Sequence, residues 1–228
     1  MGGRHTIELG DDRQLRVVFT DTADGDFRVV DPTPGLDERR TRIAPEPWSW
    51  LVQVHGDLVH RVARPGQHAG AEGDGLLTTE SGCPIAVTTA DCAPVVLAAE
   101  RGVAVIHAGW RGLSAGIVER AGAELRRVAG EPVAALLGPS ISPAAYEFGA
   151  DDLATVVDRY GPSVAATTSD GAPALDVPAG VAEACRRAGW AAPERPPCTS
   201  DTRWYSHRTR GDRARQTAVA WLESVAPA

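Results

Sequence analysis

The sequence predicts an α+β fold, with helices layered on mixed β-sheet in a single domain covering residues 1–228. Two observations carry this reading. Short apolar runs, PIAVTT at 84–89, VVLAA at 95–99 and VAVIH at 103–107, have the length of buried strands, and the last two are joined by a turn too short for a crossover helix. Such neighbours run antiparallel. Interleaved with them are longer segments with helical spacing that end at glycine. With 228 residues, 43% of them hydrophobic, the chain can bury one large core, and it shows no internal repeat and no boundary.

Taken in order, LRVVFT at 15–20 reads as a strand, DTADGD as a turn and RVV at 28–30 as a short second strand. Residues 32–47 form a charged, proline-bounded linker or short helix. The apolar positions of WLVQVHGDLVHRV suit two strands turning at Gly56 and Asp57, and RPGQHAGAEGDG at 64–75 is a glycine-rich functional loop. The 95–107 hairpin turns near Arg101. A symmetric register places His107 opposite Val95, with Cys92 about 10 Å further on at ~3.3 Å per residue. A break at Pro94 then folds the ADC turn back toward the histidine. Helices are expected over 114–129, 151–160 and 178–188, stopped by Gly130, Gly161 and Gly189, with a strand VAALLG at 133–138. The stretch 192–207 is irregular, and a last helix is expected over 213–225.

The formal charge of −7 argues against non-specific nucleic-acid binding, which needs a basic face, and favours small-molecule chemistry. All 23 basic residues are arginine, a bias that a G+C-rich genome explains. The missing lysine excludes pyridoxal-phosphate enzymes, Schiff-base aldolases and lysine-bearing P-loops. Cys83, Cys92, Cys185 and Cys198 form no CxxC pair and read as reduced. No apolar run reaches membrane-spanning length, and the first nine residues carry Arg4, His5 and Glu8 where a signal peptide needs apolar side chains. A cytoplasmic protein without membrane or nucleic-acid partners is expected.

Among six histidines, His55 in QVHG and His107 in HAGW adjoin turns where a ring can point into a cleft, and Cys92 lies in a proline-bounded turn. Nitrogen and sulfur donors in threes make a catalytic-type zinc site with one position open. Spacing alone favours an ordinary core or surface role for each histidine and simple burial for the cysteine.

The motifs QVHG (53–56), DGLLTT (74–79), TADCAP (89–94), HAGWRG (107–112), LGPSISPAAYEFG (137–149) and SHR (206–208) occur in order. Over residues 53–216 the chain closely resembles the family named for its multicopper polyphenol oxidase, or laccase, domain, also called the purine nucleoside phosphorylase or peptidoglycan editing factor family. The resemblance implies a single domain of layered α and mixed β structure, with zinc on His55, Cys92 and His107. It implies phosphorolysis of adenosine, inosine, guanosine and S-methyl-5′-thioadenosine, deamination of adenosine, and in bacteria removal of misincorporated serine from a cell-wall precursor. The family's first motif, close to FSTRxGGVS, is poorly matched by FTDTADGDF at 19–27, where Thr22 replaces the arginine.

Phosphorolysis requires guanidinium groups for the oxyanion, and Arg111, Arg208 and Arg215 are the candidates. Deamination would need activated water and a proton-shuttling carboxylate, for which Asp91 is placed in sequence, although it also suits a turn cap. The H-x-E and P-C-x-x-C signature of common zinc deaminases is absent. Polyphenol oxidation fails on ligands, since six scattered histidines without an H-x-H pair do not make a multicopper centre. A thiol hydrolase or amidase with Cys92 as nucleophile and His107 as base is the rival reading, and a binding module without turnover is the third. The sequence leaves open the oligomeric state and the roles of Tyr146, Glu147 and Tyr205.

Overall fold

The computed structural model describes residues 3–10 and 12–225. Two mixed sheets stack face to face. The first has strand order β1 (Gly3–Glu8), β2 (Arg13–Phe19), β13 (Gln216–Ser224), β7 (Ile85–Thr89), β3 (Ser49–Val52), β5 (Ala71–Glu72). The second runs β10 (Pro132–Leu137), β8 (Ala93–Ala99), β9 (Gly102–Ala108), β6 (Gly75–Thr78), β4 (Val59–Val62). A small hairpin of β11 (Ala165–Thr167) and β12 (Pro173–Leu175) lies apart.

Each sheet is buried on both faces. Leu15, Val17, Ile85, Val87 and Leu222 of the first sheet meet Val96, Val103 and Val105 of the second in the inter-sheet core. The alternate residues of the second sheet, Leu97, Ala104 and Ile106, pack under α3 (Ile117–Ala129) and α5 (Val177–Ala188), with α4 (Ala150–Tyr160) alongside. On the outer face of the first sheet, Val18, Val219 and Trp221 pack with Phe27, Trp48 and Leu36 of α1 (Leu36–Ile43). The α+β class and the mixed sheets are as expected.

Several local expectations change. The 213–225 segment is not a helix but β13, hydrogen-bonded between β2 and β7. Because both of its faces are buried, five consecutive apolar residues, 218–222, replace the alternation that marks a half-exposed strand, and alanine-rich content then resembles a helix. Residues 28–30 are not a strand. The two strands in 48–62, β3 and β4, do not pair with each other but join different sheets. The 114–129 helix starts earlier and is split at Gly116, whose φ of +89° ends α2 (Trp110–Ala115) before α3 begins. The 64–75 loop contains β5 and leads into β6.

The β8–β9 register is one residue off the symmetric expectation: Val95 faces Ile106 and Pro94 faces His107. The strand runs through Pro94 to Ala93 instead of breaking there. Its missing N–H costs nothing toward β9, because His107 donates its own backbone N–H to the Asp74 carbonyl at 2.7 Å. Cys92 is therefore closer to His107 than the register argument requires.

Candidate metal centre and cleft

Three strand ends deliver the site. Parallel strands β3 and β7 run out at the same edge toward His55 and Cys92, and β9 ends at His107, which by strand alternation shares the inter-sheet face with Val103 and Val105. The Gln53 side chain fixes the exit of β3. Its amide donates to the Thr88 carbonyl at 2.8 Å and accepts the Thr88 N–H at 2.8 Å, as a strand backbone would.

The ligand atoms of His55, Cys92 and His107 lie within 4.8 Å of one another, with Cys92 Sγ 3.9 Å from His55 Nε2. Tetrahedral zinc with ~2.3 Å sulfur and ~2.0 Å nitrogen bonds needs sulfur and nitrogen about 3.6 Å apart, close to the Cys92–His55 separation, so the donor set could hold a metal ion once the wider-spaced donors draw in. The two imidazole rings meet edge-on with centroids 4.8 Å apart. Gly109 leaves the room for them: a Cβ there would sit 2.7 Å from His55 Cδ2 and 3.3 Å from Cys92 Sγ.

Asp74 organises this centre, and it has no place among the expected site residues. Its fully buried carboxylate accepts His107 Nδ1 at 2.8 Å and the backbone N–H groups of Val54, His55 and Gly56 at 3.2, 3.0 and 2.8 Å. Those bonds hold His55 in a left-handed conformation, φ +61°, that a histidine rarely adopts. Leaving Nε2 of His107 toward the cluster, the Asp74 bond sets the tautomer a metal ligand requires. Burial opposes the Asp74 charge, but the His107 hydrogen bond, the Gly56 and His55 N–H groups and the His107 charge hold its carboxyl below the usual range. The only sequence signal was an acidic residue opening the DGLLTT motif.

Without metal the donors form an ion pair. Burial alone raises the Cys92 thiol, but the charge and hydrogen bonds of His107 and His55 bring it down to about 6. Burial lowers His107, yet the Cys92 thiolate and Asp74 together push it up to about 9.

The cluster opens into a cleft of about 570 Å³, a size suited to small ligands. Two grooves of about 620 and 600 Å³ lie elsewhere and contain none of the three donors. Arg28, Arg208, Arg213 and Arg215 line the cleft beside the metal donors. Arg208 lies 4.7 Å from the Tyr146 ring centroid and donates to the Glu147 carbonyl at 3.1 Å, which accounts for both Tyr146 and Glu147 at this wall. Burial and the Cys92 charge push the Tyr146 hydroxyl up to about 12, against the Arg208 charge. Arg215 Nη1 is occupied by the carbonyls of residues 212, 213 and 214. Arg111, 4.3 Å from the Trp110 ring centroid, is exposed and does not line the cleft, and neither does Tyr205.

Asp91 lines the cleft at φ +100°, and its carboxylate already accepts three hydrogen bonds. Thr199 Oγ1 and Ser206 Oγ both donate to Oδ1 at 2.6 Å and the Arg208 N–H donates to Oδ2 at 2.7 Å. It ties the SHR segment to the turn that carries Cys92. In the 19–27 segment, Asp21 and Asp24 form a reciprocal capping box, and Asp26 accepts the N–H groups of Arg28 and Arg215.

A fold with two stacked mixed sheets and a His-Cys-His cluster at their shared edge defines the class of protein. Residues 26–223 match the family model for multi-copper polyphenol oxidoreductase laccase. The chain belongs to that family. It is 37% identical over 185 residues to a purine nucleoside phosphorylase of Mycobacterium tuberculosis, covering 76% of this chain and 72% of the relative. A purine nucleoside phosphorylase of Corynebacterium glutamicum is 31% identical over 240 residues, covering 94% and 97%. The crystal structure of the Bacillus licheniformis hypothetical protein YfiH superposes with a TM-score of 0.78 at 20% identity, covering 95% of this chain and 98% of that one, a likeness of fold. Among the described residues, no helix is long and apolar enough to cross a membrane.

Proposed function

We propose that this chain is a zinc-dependent purine nucleoside phosphorylase of the cytoplasm. It acts as a single domain on adenosine, inosine, guanosine and S-methyl-5′-thioadenosine, with adenosine deamination as a second activity. The observation that carries the reading is the convergence of His55, Cys92 and His107 on a cleft whose other wall is rich in arginine. Two imidazoles and one thiolate suit zinc and leave one position for substrate or water. When bound, zinc supplies a Lewis acid that polarises a substrate atom or activates water.

The remaining work belongs to the chain. In phosphorolysis a phosphate oxygen bonds to the anomeric carbon of ribose as that carbon's bond to the purine nitrogen breaks, and the purine leaves with the electron pair. Arg208 neutralises and orients the phosphate, with its guanidinium held flat by Tyr146 and the Glu147 carbonyl. Arg111, outside the cleft lining, contributes only through its charge, which reaches the Tyr146 hydroxyl. Asp74 holds the His107 ring, and Asp91 positions Arg208 by accepting its N–H at Oδ2, the oxygen that accepts a single bond and would take the proton in deamination. Protein purified without added metal should contain about one zinc per chain and release hypoxanthine from inosine only when inorganic phosphate is present. Phosphate-independent release, or none from any nucleoside, would overturn the assignment.

One observation favours a second reading. The lowered Cys92 thiol beside a protonated His107 is also the resting state of a thiol hydrolase, which suits amide cleavage in a cell-wall precursor. The two readings part at His55, which a Cys92–His107 dyad does not need. The zinc reading requires His55→Ala to be as inactive as Cys92→Ala, and turnover to stop with a strong chelator and return with zinc. A substrate-derived adduct on Cys92 would favour the hydrolase.

A further inference from the structure

The phosphorylase reading asks for oxyanion recognition, and Arg28 is the cation best prepared to supply it. Arg28 lies in the 26–31 loop, outside every motif that brought the other arginines to notice, yet it lines the same cleft as Cys92 and His107. Asp26 locks it from two directions. One carboxylate oxygen accepts the Arg28 N–H at 2.9 Å and the Arg215 N–H at 3.0 Å, and the other lies 3.3 Å from Arg28 Nε. The Phe27 N–H donates to the Arg215 carbonyl at 2.9 Å, closing the loop onto the 207–215 segment. Both partners are partly buried, with side-chain exposures of 22% for Arg28 and 14% for Asp26.

The neighbouring arginines are committed elsewhere. Arg215 caps three carbonyls through Nη1, Arg208 donates through Nη1 to Glu147, and Arg213 pairs at 3.6 Å with Asp31, both highly exposed. The two terminal amino groups of Arg28 have no partner among the described residues. Arg28 Nε is buried, pairs by charge with Asp26 and makes no hydrogen bond among the described residues. A guanidinium held beside its counter-charge with its terminal groups uncommitted is available to a tetrahedral oxyanion.

We propose that Arg28 is a ligand of the phosphate co-substrate, sharing the cleft with Arg208, with Asp26 as the residue that positions it. This rests on the phosphorylase reading. The position sits immediately after the 19–27 segment, where Thr22 stands in place of the motif arginine, so the charge reaches the cleft from a different point of the chain.

The test uses zinc-loaded full-length protein and inorganic phosphate itself. Arg28→Ala should raise the KM for phosphate about tenfold or more while changing the KM for inosine less than twofold. Arg28→Lys should recover part of the loss, because it restores the charge without the fork. Asp26→Asn should raise the phosphate KM less than Arg28→Ala does. Titration calorimetry with phosphate alone, on protein of unchanged zinc content and melting temperature, should show the same ranking. Equal phosphate KM in wild type and Arg28→Ala would overturn the proposal while leaving the phosphorylase reading intact. Absence of any phosphate dependence in the wild type would overturn both. A parallel rise in the inosine KM would show that Arg28 shapes the cleft and does not select the anion, and would also overturn it.

Discussion

Oδ1 of Asp74 lies 2.8 Å from Nδ1 of His107, and the same carboxylate collects three consecutive N–H groups from the turn that carries His55. One buried side chain thus aims two of the three candidate metal donors. Outer partners of this kind typically change metal affinity 10- to 100-fold. Asp74→Asn is expected to weaken zinc by about that factor, measured by competition with a chromophoric chelator. An unchanged affinity would mean that the rings are held by packing alone.

Gly109→Ala should damage the centre without touching a ligand. The added methyl would fall 2.7 Å from His55 Cδ2, inside any normal contact, so the ring must move. Zinc per chain should drop well below one while far-ultraviolet circular dichroism is retained. A fully loaded variant would show that His55 has room to retreat.

In metal-free protein, Cys92 should react as a thiolate at neutral pH. Its thiol sits at about 6, below the usual value, so the reactive form is present above that pH and is lost as pH falls through it. Buried Cys185, pushed up to about 12, should stay silent. The imidazolium partner is lost as pH rises through about 9, which confines the ion pair to the interval between the two values. Iodoacetamide labelling against pH, followed by peptide mass spectrometry, reads this out. Zinc should protect Cys92, and labelling of Cys185 before Cys92 would contradict the geometry.

Asp91 is predicted to act through its hydrogen bonds. Asp91→Asn and Ser206→Ala should each lower stability by about 1–3 kcal/mol, because each leaves a buried partner incompletely satisfied. A double-mutant cycle by denaturant unfolding should show coupling of roughly 0.5 kcal/mol or more. Additive losses would mean that the 2.6 Å contact carries no energy of its own.

What could be read from the chain divides along physical lines. The buried runs at 84–89, 95–99 and 103–107 announce strands because their length and flanking turns are local properties, and the His-Cys-His set could be nominated from residue type and turn context. Asp74 could not, since its role depends on hydrogen bonds to residues 18 to 20 positions earlier and to His107, 33 positions later. Arg28 escaped for a similar reason: its partner Asp26 is itself tied to the N–H of Arg215, 189 positions away. β13 was misread because burial on both faces removes the alternation on which strand recognition rests.

The position of β13 bears on how the molecule forms. The 216–224 strand is inserted between β2, from residues 13–19, and β7, from residues 85–89, with contacts spanning about two hundred positions on one side. The first sheet stays divided into two pieces until that strand is synthesised. Strands of the second sheet and their helices pair with nearer sequence and are free to assemble earlier, whereas the loops at 26–31 and 207–215, which carry the arginine wall of the cleft, meet only when β13 docks. Such distant pairing slows folding and leaves apolar strand edges exposed in the meantime. A chain interrupted before residue 216 would retain the three candidate metal donors and the cleft arginines but lack the strand that brings the 26–31 and 207–215 loops together and joins the two pieces of the first sheet.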